Sequence, residues 1–314
     1  MSGARAWFGR GLQVAGLTAA AWYLVHTAMA NREALAAVPL RLAAGPFVVA
    51  SLLTVGTYFF LVRTWAGSLR WWGQSLPFGD AVRIWFITNL TRFVPGIVWQ
   101  FAHVGTEALA ARISPVAAAG GMVFQQLVLL ATGLAVAGSL APLLPGQGAI
   151  ALAPATAIAL ASLGVVAVVI LLPVVAPLLE RWTSRLLRRE IPWPAPTRGE
   201  LSRYAATLVL PWLTYGVAFW LFARAVLGDG AAPDLIPAAA AFVGSYVAGI
   251  IAVFAPGGLG IREAALVALL SPAVGAPVAL FLAIAARLWL VGLELATALA
   301  VLAWQRRPGR NPQP

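Results

Sequence analysis

Long apolar stretches alternate with short polar connections along almost the whole chain. The apolar stretches are near or above the roughly 20 residues that a helix needs to cross a bilayer. They cover residues 12–30, 42–62, 116–140, 149–179, 204–227 and 277–304. This pattern predicts an all-α, polytopic integral membrane protein with about six spanning helices.

Two further apolar stretches, residues 78–113 and 235–270, are interrupted near their middle by Pro95-Gly96 and Pro256-Gly257. Proline and glycine end helices, so each stretch is predicted to form two helical arms joined by a turn. Each stretch has about 36 residues, fewer than the roughly 40 that two complete spans require. We therefore expect two broken, re-entrant or tightly packed helical hairpins, called hairpin one and hairpin two.

The composition supports a membrane protein. The chain is 61% hydrophobic and only 10% charged, whereas soluble domains carry about 25% charged residues. Without cysteine, thiol chemistry, disulfides and Cys-based metal sites are excluded, and the two histidines, His26 and His103, are far apart in sequence. We therefore expect no metal and no cofactor.

The net charge is +11, all 21 basic residues are arginines, and most of these lie in the connections that flank the apolar stretches. This placement is typical of the positive-inside rule and argues against nucleic-acid binding. Arg5 and Arg10 put the N-terminus in the cytoplasm, and the arginine-rich connection 181–203 and the C-terminus fall on the same side. A cleaved secretory signal, ending near residues 28–30, is the alternative to an uncleaved first helix. The prediction is a multi-pass membrane protein with both termini in the cytoplasm.

Counting the membrane crossings from the cytoplasmic N-terminus makes hairpin one open to the cytoplasm and hairpin two open to the outside. This difference in orientation predicts an inverted repeat. Glu107 and Ser114-Pro115 after the first break compare with Glu263 and Ser271-Pro272 after the second. Repeat one then covers about residues 78–140 and repeat two about 235–304, within a single domain of residues 1–314. The alternative is two unrelated, proline-kinked helix pairs.

Helix breaks and charges are costly in hydrocarbon, so they survive mainly where they line a cavity or a site. A pair of breaks in corresponding halves is a pointer to a transporter-like binding site. Around the second break, glycines permit a tight turn. The start of the following helix suits an anion such as phosphate, and the planar, positively charged guanidinium of Arg262 matches phosphate oxygens. The alternative is a capping turn in which Arg262 pairs with a neighbouring acid. The candidate residues for a lipid head group are Arg92, Pro95, Gly96, Glu107, Pro256, Gly257, Gly258, Gly260, Arg262 and Glu263.

Other charged or polar residues in apolar segments are secondary candidates. Glu107 and Glu263 either pair with arginine or carry protons, and the available partners are Arg92, Arg112, Arg262 and Arg287. Gln125 and Gln126 either line the cavity or hydrogen-bond to a neighbouring helix. Arg287 and Glu294 are seven residues apart, so they share a helix face, and a packing role is expected for them.

The two interrupted segments resemble the signatures of a known family. RFVPGIVWQ at residues 92–100 and APGGLGIREA at residues 255–264 look like those of the lysylphosphatidylglycerol synthase transmembrane-region family, also called flippase-like domain proteins. The resemblance implies a bacterial or archaeal inner-membrane protein that moves aminoacylated phospholipids or polyprenyl-linked glycolipids. Family members often have an acid where this chain has Gln125 or Gln126. No connection is long enough for the soluble aminoacyltransferase domain of fused members, so we expect no synthase reaction.

The leading hypothesis is a lipid translocase, not an enzyme, that moves an anionic phospholipid or a polyprenyl-linked glycolipid through a cavity between the inverted hairpins. Its partners are membrane lipids. Two alternatives are a membrane-embedded lipid-modifying enzyme, in which Glu263 beside Arg262 supplies acid–base chemistry, and an accessory scaffold for glycolipid or cell-envelope assembly.

Overall fold

The fold was analysed in a computed structural model. It describes residues 32–36, 41–89, 97–144, 196–252 and 258–305, together with isolated positions elsewhere. Within these ranges the secondary structure is helical and contains no strand. The helices are α1 Arg32–Ala36, α2 Ala44–Ser68, α3 Phe78–Asn89, α4 Ile97–Ala110, α5 Pro115–Leu140, α6 Arg198–Thr207, α7 Val209–Leu227, α8 Leu235–Ile251, α9 Ile261–Val274 and α10 Ala276–Gln305. Short 3-10 turns, Leu69–Trp72 and Ala141–Leu143, extend α2 and α5.

Four helical segments are long and apolar enough to cross a membrane. They are Ala44–Trp72, Pro115–Leu143, Arg198–Leu227 and Ala276–Trp304, and they coincide with four of the predicted spans. The two other predicted spans, 12–30 and 149–179, lie almost wholly outside the described residues. The protein is therefore an all-α, polytopic membrane protein, as its hydropathy predicts.

Both predicted hairpins are present as pairs of short helices. Hairpin one is formed by α3 and α4, with 12 and 14 residues, and hairpin two by α8 and α9, with 17 and 14 residues. In each hairpin the two arms pack against each other. At 1.5 Å per residue the longest arm reaches about 26 Å, less than the roughly 30 Å of a bilayer core. The arms are thus short for complete spans.

A long helix follows each hairpin, α5 after the first and α10 after the second, but the expected Ser-Pro equivalence is wrong. Ser114 is the N-cap of α5 and accepts a hydrogen bond from the N–H of Ala117 at 3.4 Å. Ser271 and Pro272, in contrast, lie inside α9, which continues to Val274. The second chain break comes instead at Gly275, whose φ of 80° is accessible to glycine at little cost.

Close contacts between small residues and aromatic rings fix the packing of α5, α7 and α8. A Cβ added to Gly133 would lie 2.7 Å from the ring of Trp212. The indole N–H of Trp212 donates to the hydroxyl of Thr132 at 3.1 Å. A Cβ on Gly216 would likewise lie 2.7 Å from Ala239. Small residues allow membrane helices to approach closely, and α7 accordingly packs against α5, α8 and α2.

Candidate functional site

The turn before α9 lies with its backbone directly against α8. Gly258 has a φ of 68° and Gly260 a φ of 81°, which favours glycine at both positions. A Cβ on Gly258 would lie 3.1 Å from the Cα and 3.2 Å from the carbonyl oxygen of Gly249. The turn and the predicted start of α9 are therefore confirmed, whereas Pro256 and Gly257 lie outside the described residues.

Glu263 caps the first turn of α9. Its Oε2 accepts a hydrogen bond from the backbone N–H of Gly260 at 2.7 Å. Gly260 occupies the N-cap position and has no side chain, so only the carboxylate half of a capping box is formed. A negative charge at this position also interacts favourably with the positive end of the helix dipole. The sequence analysis offered a helix-capping turn as the alternative to anion binding, and the hydrogen bond between Glu263 and Gly260 agrees with the capping turn.

The second oxygen of Glu263 faces Arg287 on α10. Arg287 Nε and Glu263 Oε1 are 3.6 Å apart, and the two side chains are only 5% and 9% exposed. Arg287 was among the predicted partners of Glu263. Because the two charges are largely removed from solvent, each contributes to compensating the other.

Arg262 is held differently, because no acidic residue in the described part of the chain pairs with it. Its guanidinium carbon lies 3.9 Å from the ring centroid of Tyr246 and 5.2 Å from that of Phe242. No ion pair or hydrogen bond links this side chain to another residue in the described part of the chain. The part of the alternative interpretation that pairs Arg262 with a neighbouring acid is therefore not met by the described residues, and cation–π contacts hold the side chain instead.

Both arginines line one pocket, which collects side chains from α2, α7, α8, α9 and α10. The pocket is a narrow, partly open cavity of about 10 Å³, and it is lined by Tyr58, Tyr215, Tyr246, Arg262, Arg287, Leu290 and Val291. Tyrosine hydroxyls and guanidinium groups are hydrogen-bond donors. The pocket therefore combines two cations with neutral donors, an arrangement suited to an anion that carries other polar groups.

The tyrosines of the pocket were not predicted. Three of the five tyrosines in the chain line it, and the rings of Tyr215 and Tyr246 stack at 6.0 Å with an interplanar angle of 13°. The available signal was the rarity of tyrosine and its occurrence in the middle of apolar segments. Its amphipathic ring usually finds a polar partner when buried there.

Glu107 belongs to a separate interaction within hairpin one. Its Oε2 lies 3.4 Å from Nη2 of Arg83 on α3, and the two side chains are 20% and 30% exposed. Arg83 was not among the predicted partners. The pair joins the two arms of the hairpin, and Glu107 does not line the pocket. Arg92, Pro95 and Gly96 lie outside the described residues.

The secondary candidates have different positions. Gln125 is 1% exposed, and its amide donates to the carbonyl of Leu61 at 3.1 Å and to the hydroxyl of Thr64 at 3.2 Å. It therefore joins α5 to α2, one of the two predicted roles. Gln126 is exposed. Glu294 is buried on α10 outside the lining of the pocket.

Metal ligands do not cluster in the part of the chain that the structure covers: no group of three or more His, Asp or Glu residues there could hold an ion. The polar chemistry of the site is thus that of arginine, tyrosine and one capping carboxylate.

The sequence as a whole identifies the family. The family model described as "Lysylphosphatidylglycerol synthase TM region" matches residues 12–297. The chain belongs to this family. Membership of the lysylphosphatidylglycerol synthase TM-region family agrees with the apolar helices and connects the protein with membrane lipids. No curated protein and no solved structure is significantly similar to the chain.

Proposed function

We propose that the protein is a lipid translocase that binds an anionic head group in the tyrosine–arginine pocket and moves the lipid between leaflets. The observation that carries this proposal is Arg262, a cation in an apolar protein that no described carboxylate compensates. Charged residues within membrane segments are costly and mark substrate pathways. A bound phosphate supplies the missing compensation.

The surroundings of Arg262 support binding from the membrane. The phosphate would accept hydrogen bonds from the guanidinium, which has a fork of donors matched to phosphate oxygens. The tyrosine hydroxyls would contact the remainder of the head group, and the acyl or prenyl chains would stay in lipid. The substrate is an anionic phospholipid or a polyprenyl-linked glycolipid.

The two hairpins supply the moving parts in this proposal. Short paired helices followed by a long helix occur twice in the chain, and repeats of opposite orientation allow access to alternate between the two sides. In the proposed topology the protein lies in the bacterial inner membrane with both termini in the cytoplasm, hairpin one opens inward and hairpin two opens outward.

The test is lipid translocation in proteoliposomes. Purified protein is reconstituted with trace fluorescent phospholipid or fluorescent polyprenyl-phosphate lipid, and the outer-leaflet label is quenched chemically. We expect faster loss of the inner-leaflet signal with at least one lipid class, and loss of that gain in Arg262→Gln. Arg224→Gln is the matched control, because Arg224 pairs with Asp229 away from the pocket. Rates equal to those of protein-free vesicles for both classes would refute the proposal.

We propose transport and not lipid modification because of the position of Glu263. A general acid or base needs a carboxylate within reach of the substrate, whereas Glu263 is engaged with Gly260 and Arg287. Mass spectrometry of lipids from a deletion strain separates the two functions. A missing lipid species would support an enzyme, and an unchanged lipid pool with altered leaflet exposure would support a translocase. A scaffold would keep its phenotype in Arg262→Ala and Glu263→Ala.

A further inference from the structure

We infer that Tyr246 is a positioning residue for Arg262: its ring holds the guanidinium through the aromatic face and leaves the charge and the N–H donors of that group for an anion. This inference rests on the proposed function, since it explains how the pocket presents the cation that binds the head group. It follows from the path of the Arg262 side chain along α8, from the contacts that hold Tyr246, and from the difference between an aromatic and an acidic partner.

The side chain of Arg262 lies along one face of α8. A Cβ added to Gly249 would lie 3.3 Å from Cβ and 3.8 Å from Cγ of Arg262, so the stem of the arginine packs where this residue has no side chain. The guanidinium carbon lies 3.9 Å from the ring centroid of Tyr246 and 5.2 Å from that of Phe242. Phe242, Tyr246 and Gly249 follow one another at intervals of four and three residues, which places them on one helix face. The stem and the head of Arg262 are thus both held by α8.

The ring of Tyr246 is itself held by aromatic neighbours on α7. It stacks on Tyr215 with 6.0 Å between the ring centroids and an interplanar angle of 13°, and it lies edge to face with Trp212 at 5.8 Å. The indole N–H of Trp212 donates to the carbonyl of Leu129 and to the hydroxyl of Thr132 on α5, both at 3.1 Å. The surface on which the guanidinium lies is therefore braced by two further helices.

An aromatic partner restrains an arginine without using the groups that bind an anion. A carboxylate would neutralise the guanidinium and accept hydrogen bonds from its N–H groups, whereas an aromatic ring attracts the cation through its face and carries no net charge. Among the residues that the structure describes, no hydrogen bond or ion pair engages Arg262. The adjacent carboxylate of Glu263 instead accepts from the N–H of Gly260. The planar fork of donors on Arg262 is consequently available to phosphate oxygens.

Holding Arg262 in advance should increase the affinity of the pocket for an anion. A long side chain loses rotamer freedom when it binds a ligand, and a side chain that is already held loses less. Loss of the Tyr246 ring should therefore weaken anion binding by about five- to thirtyfold, which corresponds to the usual strength of a cation–π contact. The hydroxyl of Tyr246 takes no part in this effect, so phenylalanine should replace tyrosine.

The first test is a spectroscopic measurement of the contact in the purified full chain in detergent. Arginine is labelled with the NMR-active heavy isotope of nitrogen, and the Nε–H signal of Arg262 is assigned by its loss in Arg262→Gln. A proton over an aromatic ring is shifted upfield by the ring current. We expect an upfield signal in the wild type and in Tyr246→Phe, and its return towards the other arginine signals in Tyr246→Leu. A position that is unchanged in Tyr246→Leu would overturn the inference.

The second test is equilibrium binding to the same variants, with dihexanoyl phosphatidylglycerol and inorganic phosphate as separate probes. Tyr246→Phe should bind like the wild type, and Tyr246→Leu should bind more weakly by about five- to thirtyfold. Trp220→Leu is the matched control, because it removes the ring that Arg224 covers at 4.7 Å outside the pocket lining, and it should bind like the wild type. Equal affinities of Tyr246→Leu and the wild type would refute the positioning role.

Gly249→Ala provides a second variant that leaves the aromatic rings in place. The added carbon would press on the stem of Arg262, whereas alanine is favourable inside a helix. The variant should therefore unfold at the wild-type temperature or above, bind the lipid probe more weakly and show a displaced Arg262 signal. Wild-type binding together with a wild-type signal in Gly249→Ala would contradict the proposed path of the side chain.

Further outcomes separate the inference from the proposed function and the lipid from a soluble source. Weaker binding in Tyr246→Leu, combined with no translocation by the wild type in proteoliposomes, would refute the translocase and leave the positioning role standing. Translocation that is lost in Arg262→Gln but unchanged in Tyr246→Leu would refute the positioning role alone. Equal affinities for inorganic phosphate and the lipid would assign the pocket to free phosphate and refute the lipid as its ligand.

Discussion

Arg287 on α10 and Glu263 on α9 form an ion pair across two helices, with 3.6 Å between Nε and Oε1. The same carboxylate caps α9 through its other oxygen. One side chain therefore connects hairpin two to the last long helix and completes the hydrogen bonding of a helix start. Glu263 therefore has two structural roles, as the cap of α9 and as the partner of Arg287, which lines the pocket.

Replacing Glu263 by alanine should destabilise the protein by about 0.5–2 kcal/mol more than replacing it by glutamine. Both variants remove the charge opposite Arg287, but only alanine also removes the acceptor that caps α9. Glutamine keeps an acceptor for the N–H of Gly260. Thermal unfolding in detergent, followed by tryptophan fluorescence, measures the difference. Equal unfolding temperatures for the two variants would show that the cap contributes nothing.

Gly258→Ala should lower the stability by about 1–3 kcal/mol, because a β-carbon is strained at positive φ and would meet the backbone of Gly249. Gly292→Ala is the matched control. It lies within α10 with no heavy atom within 4 Å of the added carbon, so it should be neutral or stabilising by about 0.5–1 kcal/mol. The same unfolding measurement applies. A Gly258→Ala protein as stable as the control would contradict the close approach of the two backbones.

Arg83 and Glu107 should show energetic coupling between the arms of hairpin one. In a double-mutant cycle with Arg83→Gln and Glu107→Gln, we expect a coupling of about 0.5–3 kcal/mol, as for residues in direct contact. Arg83→Gln combined with Glu263→Gln is the control cycle, since these residues belong to different ion pairs. Additive effects in the first cycle would mean that the pair does not join the arms.

The contribution of the connection after α7 to protein stability should depend on pH through the ionisation of Asp229. The hydrogen bond from Arg224 and its positive charge lower the pKa of Asp229 below its ordinary value. Because the folded-state pKa is the lower one, the stabilisation is present above the unfolded pKa and is lost as pH falls through the folded pKa. The difference in unfolding temperature between wild type and Asp229→Asn should therefore shrink on acidification.

The control for this pH dependence is Arg224→Gln, which removes the donor. In that background Asp229→Asn should have no pH-dependent effect on the unfolding temperature. A difference that grows as the pH falls would mean that the pKa of Asp229 is raised.

Local sequence rules predicted the helical skeleton but not its internal contacts. Hydropathy located the described spans, and the helix breakers located the hairpins, because both act through nearby residues. The position of Ser271-Pro272 inside α9 was missed, since proline is compatible with a helix when packing holds its neighbours. The competing break at Gly275 depends on a backbone conformation that sequence spacing does not reveal.

The pocket could be predicted only in part for a related reason. Arg262 and Glu263 stand next to the second break, so the motif identified them. Tyr58, Tyr215 and Tyr246 come from three helices that are distant in sequence, and the rotation of those helices is set by contacts such as Gly133 with Trp212. Arg83 was missed as the partner of Glu107 because the register between two short arms depends on the turn that joins them.

The contact between Gly249 and Gly258 has a mechanical consequence. Because no side chain separates the two backbones, side-chain rotation cannot widen this contact. The contact keeps the backbones around Gly249 and Gly258 close together, and it brings Arg262 to the ring of Tyr246. A ligand that binds the guanidinium therefore also lies beside this aromatic ring.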